Sequence, residues 1–169
     1  TALSDLLIAT TLPPFTKKAK RRMSLHPKFY FFDAGVYQTL RPRGPLDNTE
    51  EIGGVALETL VFQELRAINS YLGLAYQLYY WRTATQHEVD FVLYGERGIK
   101  AFEVKSSAKV RPDDLTALKL FLEDYPSAQA YLIYGGDRAY FEGGIRILPA
   151  KNFFSDAKTL LILQKLSTK

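Results

Sequence analysis

Cysteine is absent from the 169-residue chain and histidine nearly so, with only His26 and His87. The first absence excludes a disulfide scaffold and any cysteine-ligated zinc site. The second excludes a histidine-rich metal centre, while ions that take oxygen ligands, such as Mg²⁺, stay compatible with the composition. No run approaches the roughly 20 apolar residues of a membrane-spanning helix. No secretory signal opens the chain, so a soluble, cytoplasmic protein with no membrane partner is expected. The first residue is Thr1 rather than Met, which leads us to expect a fragment of something longer. Hydrophobic residues make up 47%, too many for a disordered chain. The length suits one domain plus an extension, with about 150 residues per domain as the guide.

A net positive charge is confined to one block. Residues 1–28 hold Lys17, Lys18, Lys20, Arg21, Arg22 and Lys28 against Asp5, a net of +5 within a chain total of +4. The rest is near neutral and slightly acidic. Such a block can neutralise phosphates or simply be a solvated linker. The body makes no compositional demand for nucleic acid.

Residues 1–16 show a short apolar helical pattern stopped at Pro13-Pro14. Residues 1–27 are read as a loosely packed N-terminal extension, residues 28–150 as the main domain and 151–169 as a C-terminal helix. Lys28–Phe32 is an aromatic strand candidate, and Asp33 can cap a brief helix through Leu40. Residues 41–53 read as a loop. From Gly54 to Tyr71 the period is helical, with Leu57, Val61, Leu65 and Ile68 at three- and four-residue steps. Strands are predicted at Tyr76–Arg82, Glu88–Tyr94 and Ile99–Lys105. A helix follows at Pro112–Tyr125, then a strand at Ala128–Tyr134. Short strands at Ala139–Glu142 and Ile145–Leu148 and a helix over Phe154–Leu166 close the chain. The order from 54 to 134 is α-β-β-β-α-β, which predicts an α/β fold with a sheet between helices.

Charged residues inside apolar patterns are the informative ones. Glu58 lies on the inward arc of its helix, between Val61, Phe62 and Leu65, where a carboxylate is costly unless paired or bound to metal. Its plainer role is a first-turn Glu reaching back to solvent. The turn Gly95-Glu96-Arg97-Gly98 sets a hairpin register that carries Asp90 opposite Glu103, and Lys105 shares the face of Glu103. Opposed like charges are destabilising, and either a divalent cation or a bridging Lys105 would relieve them. A one-residue slip would part the two acids.

Asp90, twelve intervening residues and then Glu103-Val104-Lys105 resembles the PD-(D/E)xK motif of restriction-endonuclease-like nucleases, with Val89 where the proline usually stands. Glu58 matches the helix-borne Glu of many members, and the α-β-β-β-α-β order is similar to their common core with its central mixed sheet. Across nearly the whole chain, KFYFFDAG (28–35), Leu57-Glu58, YYWRT (79–83), HEVDFVL (87–93) and AFEVKSS (101–107) resemble the C-terminal domain of unknown function that follows the AAA-type ATPase module in bacterial and archaeal proteins. The resemblance implies that residues 1–27 are the remnant of an upstream winged-helix or linker region. It also implies that the ATPase, absent from this chain, is the partner module.

The motif implies that Asp90, Glu103 and Glu58 hold Mg²⁺ or Mn²⁺ and that Lys105 stabilises charge on a phosphate or orients a water. Arg82, His87 and Ser107 are candidates for contacting the substrate. Their plain alternatives are a surface ion pair, a strand-end histidine and turn chemistry. The expected function is a nuclease-like domain that cleaves phosphodiesters of DNA or RNA. The alternative is a non-catalytic regulatory or binding module, and oligomerisation is compatible with both.

Overall fold

A computed structural model describes residues 9–24, 26–31 and 49–163. Two short strands, β1 (Ala9–Leu12) and β2 (Lys28–Phe31), pair antiparallel as a separate ribbon. Helix α1 (Thr49–Tyr71) leads into β3 (Gln77–Arg82), β4 (Glu88–Gly95) and β5 (Gly98–Lys105). A 3₁₀ turn (Pro112–Leu115) and α2 (Thr116–Asp124) cross over to β6 (Gln129–Tyr134). The chain closes with β7 (Tyr140–Glu142), β8 (Ile145–Pro149) and α3 (Ala150–Ile162). The main sheet runs β3-β4-β5-β6-β8-β7. Its first three strands are antiparallel, β5, β6 and β8 are parallel, and β7 is an antiparallel edge.

This is a mixed α/β architecture, with a six-stranded sheet flanked by helices. One face buries Phe91, Phe102 and Ile133 against Val61 and Leu65 of α1 and Phe153 and Leu160 of α3. The other buries Val92, Ala101 and Leu132 against Leu115, Leu118 and Phe121. Strands covered on both faces read as near-continuous apolar runs, as β6 does (QAYLIY).

The sequence pattern and the structure part in four places. Residues 9–12 are a strand, not helix: Ala9 and Leu12 are buried while Thr11 is exposed, and the β-branched threonines suit extended backbone. Residues 9–24 are not a loose extension. Phe15 is 0% exposed in the second core, and residues 13–24 line the outer edge of β3, where the Phe15 N–H donates to the Tyr80 carbonyl and the Tyr80 N–H to the Pro13 carbonyl. Helix α1 starts at Thr49, before the predicted Gly54. Gly53-Gly54 weakens the helical pattern by about 1 kcal/mol per glycine, so the sequence signal begins only after them. Helix α3 starts directly after Pro149 and ends at Ile162, where the buried Lys100 ammonium binds the Leu163 carbonyl at 2.6 Å. The helix predicted from Asp33 to Leu40 lies outside the described residues.

Candidate functional site

The hairpin register is the one its turn predicts: Gly95 pairs with Gly98, Tyr94 with Ile99 and Phe91 with Phe102. The ladder stops there, one residue short of an Asp90–Glu103 pair. On the other side of β4 the register shifts between Tyr79 and Trp81, so that Asp90 and Phe91 together stand opposite Tyr80. A bulge of this kind re-aims a side chain. Asp90 turns its Oδ2 to the backbone N–H of Val104, which donates at 2.9 Å. The two acids are therefore neighbours through Asp90's side chain rather than through a ladder pair.

The β1–β2 ribbon completes the surroundings. Lys28 and Tyr30, two apart on β2, point to one side. The Lys28 ammonium lies 3.1 Å from Glu58 Oε1, 2.5 Å from Glu88 Oε1 and 3.5 Å from Asp90 Oδ1. The Tyr30 hydroxyl donates to the same Glu58 oxygen at 2.5 Å. Arg82 pairs with the other oxygen of Glu88. Lys105 pairs with Glu103 Oε1 at 2.7 Å, whereas Glu103 Oε2 is buried with no hydrogen-bond partner among the described residues. Among the described residues four carboxylates thus meet three cations, a formal excess of one negative charge.

The titration behaviour follows. Asp90 is pushed up to about 7, first by burial and then by Glu58, against the pull of Lys28 and the Val104 N–H. Glu103 is raised well above the usual carboxylate range by burial and by Asp90, with Lys105 opposing. Burial pulls Lys28 down, but Asp90 and Glu58 outweigh it and hold the ammonium well above the ordinary lysine value. Lys105 is likewise raised, with Glu103 overcoming burial. Burial and then Glu58 push the Tyr30 phenol far up, so it stays a donor.

Of the sequence-predicted residues, the fold brings Glu58, Asp90, Glu103 and Lys105 into this cluster, and Arg82 joins it through Glu88. His87 stays in the turn after β3, where its backbone N–H and carbonyl bond Thr83. Ser107 closes its own turn onto Lys109. That turn is held close to the end of β6: a Cβ on Gly135 would stand 2.2 Å from the Ser106 carbonyl oxygen. Sequence reasoning missed Lys28, Tyr30 and Glu88 as site residues. Glu88 carried a usable signal, since it lies two residues from Asp90 on one strand. Lys28 and Tyr30 carried only their alternation within KFYF.

Every acceptor in the cluster is a carboxylate oxygen, the donor type that Mg²⁺ and Mn²⁺ take. Most of these oxygens are already bonded. Glu103 Oε2 is uncommitted, and Asp90 Oδ1 has only the long contact to Lys28. Among the described residues no set of three His, Cys, Asp or Glu is arranged around a common metal position. The cluster therefore fits an ion held by one or two carboxylates and otherwise by water, a usual mode for Mg²⁺.

The family described as "Domain of unknown function (DUF4143)" matches residues 53–153. Two relatives, uncharacterized protein Rv2008c of Mycobacterium tuberculosis and uncharacterized protein Mb2031c of Mycobacterium bovis, are each 26% identical over 142 residues. The match covers 82% of this chain and 31% of each relative, so the chain spans about a third of their length. No solved structure matches. With more than half its residues inside the family match, the chain belongs to the DUF4143 family.

Proposed function

We propose that this member of the DUF4143 family is a restriction-endonuclease-like, nuclease-like domain that cleaves phosphodiesters of DNA or RNA with Mg²⁺ or Mn²⁺, carried next to an AAA-type ATPase module. The observation that carries the reading is Glu103 Oε2, a carboxylate oxygen buried without a donor, on a strand segment where Asp90 and Lys105 also converge. A buried acceptor left unsatisfied calls for a partner, and a divalent ion would supply one. The relatives' greater length leaves room for an ATPase module.

Asp90 Oδ1 and Glu103 Oε2 would hold the ion, and Glu58 would reach it through water. When bound, the ion acidifies a water and stabilises negative charge on the scissile phosphate. Lys105, 38% exposed at its side chain and tethered by Glu103, would meet a phosphate oxygen. The Val104 N–H fixes the Asp90 carboxylate in place before substrate arrives. Arg82 and Lys28 tie Glu88 down, which keeps a third acid from turning away from the strand end.

The test is incubation of the chain with labelled single- and double-stranded DNA and RNA in Mg²⁺ or Mn²⁺. Cleavage is expected, and Asp90→Asn, Glu103→Gln and Lys105→Ala should each reduce it by on the order of 100-fold. Intact substrates under every condition would remove the nuclease reading.

A second reading has its own observation. Lys28 already satisfies Glu58, Glu88 and Asp90 without a metal, as expected of a non-catalytic regulatory or binding module that keeps a structural ion-pair network. On that reading Asp90→Asn destabilises the fold and divalent ions change nothing.

A further inference from the structure

We propose that the cleft beside Arg66, between β1, α1 and β3, is a phosphate site that takes a single nucleotide unit, free or at the end of a strand. It shares no residue with the acidic cluster and stands apart from the metal-dependent reading.

Three elements build the cleft. Phe62, Arg66 and Ser70 recur at four-residue steps along α1 and so lie on one face of the helix. The threonines of β1 border that face, and Leu78 of β3 adds an apolar wall. The cleft holds about 270 Å³. Small-molecule sites run from roughly 300 to 1,000 Å³, so this one has room for one nucleotide unit and little more.

Arg66 carries the charge of the site, and no acid lines the cleft among the described residues. Its guanidinium is held before any ligand arrives. Nη1 donates to the Thr10 hydroxyl at 3.0 Å, and the guanidinium carbon stands 5.5 Å from the centre of the Phe62 ring, within cation–π reach. Lys28, Arg82 and Lys105 each meet a carboxylate, whereas Arg66 meets none among the described residues. With a hydroxyl and a ring for neighbours, the half-buried guanidinium keeps most of its N–H donors for an anion. Thr11 and Ser70 are exposed on the same cleft and offer hydroxyls. Asn69 frames the wall instead: its amide nitrogen donates to the Tyr76 carbonyl at 2.8 Å, and its oxygen accepts from the Tyr76 N–H at 3.0 Å. A fixed fork flanked by hydroxyl donors matches a phosphate, whose three acceptor oxygens take more hydrogen bonds than the two of a carboxylate. Leu12, Phe62 and Leu78 supply apolar surface for the sugar and base.

The experiment is calorimetric titration in chelator, which keeps metal-bridged binding at the acidic cluster out of the signal. The probes are adenosine monophosphate, adenosine, inorganic phosphate and a short single-stranded DNA with a terminal phosphate. The proteins are the chain, Arg66→Gln and Ser70→Glu, the last placing an acid at an exposed position of the cleft. Adenosine monophosphate should bind and adenosine should not, with inorganic phosphate competing. Both variants should lose affinity by on the order of 10- to 100-fold, the loss of a charge-assisted pair. DNA binding that depends on Arg66 assigns the end of a strand, and binding of the mononucleotide without the DNA assigns a free nucleotide; either supports the site. Equal binding of adenosine and its monophosphate overturns it. So does unchanged affinity in either folded variant, or no binding of any phosphorylated probe at millimolar concentration. Thermal melts report folding, and if Arg66→Gln is unfolded, Ser70→Glu decides the outcome. Cleavage is not the readout, so failure of the nuclease reading leaves this result in place.

Discussion

Asp90 holds two different commitments on its two oxygens. Oδ2 takes the Val104 N–H, a fixed bond inside the protein, while Oδ1 has a long contact to Lys28. Burial and Glu58 push its carboxyl up to about 7. Between about 4, the ordinary aspartate value, and about 7, the folded chain holds a proton that the unfolded chain has lost. This group's contribution to stability therefore falls as pH rises through that window and is flat above it. Asn in its place keeps an oxygen for the Val104 N–H and removes the ionised form. We expect Asp90→Asn to make the metal-free stability curve shallower from pH 4 to 7, the slope that remains being that of Glu103. At pH 8 it should raise stability by roughly 1–3 kcal/mol, several degrees in Tm at this size. Thermal melts of both proteins in chelator measure this. A lower Tm for the variant at pH 8 would instead mark the cluster as a structural ion-pair network.

At the scale of elements, the segment before β2 behaves as part of the domain. The Phe15 ring packs against Tyr79, Tyr94, Phe121 and Tyr125, with centroids 5.2–6.3 Å away. The basic block that follows is engaged as well. Lys17 sits over the Tyr94 ring, Lys20 binds the Glu123 carbonyl, and Arg21 pairs with Glu123 and the buried Asp124. Phe15→Ala should cost roughly 3–5 kcal/mol, measured by urea unfolding. Trypsin should spare the Lys20–Arg21 region until the whole domain opens, which mass spectrometry of timed digests would show. Early cleavage there would mean that the segment detaches on its own. The sequence had suggested a loose extension because its cues there were local, namely Pro13-Pro14 and a run of positive charge. The partners that hold it, on β3 and at the end of α2, are distant in sequence. The α-β-β-β-α-β order and the hairpin register were legible for the opposite reason. Period and turn chemistry act over a few residues, and Gly95–Gly98 fixed the pairing of β4 with β5. The bulge at Asp90 was not legible, because it depends on β3 and on residues 13–15 bonding the far edge of Tyr80. Lys28 escaped for a related reason: only the pairing of β2 with β1 and the placement of their ribbon bring it to Glu58, Glu88 and Asp90.

Across the whole molecule, buried groups on one hairpin give opposing pH dependences. Asp90 removes stability as pH climbs to about 7, and Glu103, raised by burial and by Asp90, acts in the same direction. Lys100, fully buried one strand over, has its ammonium pulled down to about 8 by burial. Above about 8, and up to the ordinary lysine value near 10.4, the unfolded chain holds a proton that the folded chain has lost. Stability from this group therefore rises with pH across that interval. Lys28 and Lys105 do not mask the effect: both are raised, so their favourable contributions are intact through the window and are lost only above it. The metal-free chain should therefore show a shallow stability minimum between pH 7 and 8, with a rising limb from about 8 to 10. Lys100→Met should remove that rising limb. It should also lower stability at every pH, because the Leu163 carbonyl and Gln129 side-chain oxygen lose their donor. Asp90→Asn should shrink the falling limb to the part that Glu103 carries and leave the rising one. Mn²⁺ added at pH 8 should lift the minimum by mass action, since it favours the ionised acids of the folded state. Urea unfolding of the three proteins at half-unit steps from pH 5 to 10 reads all of these slopes. A wild-type curve that falls without turning between pH 7 and 10 would mean that Lys100 stays charged within the fold.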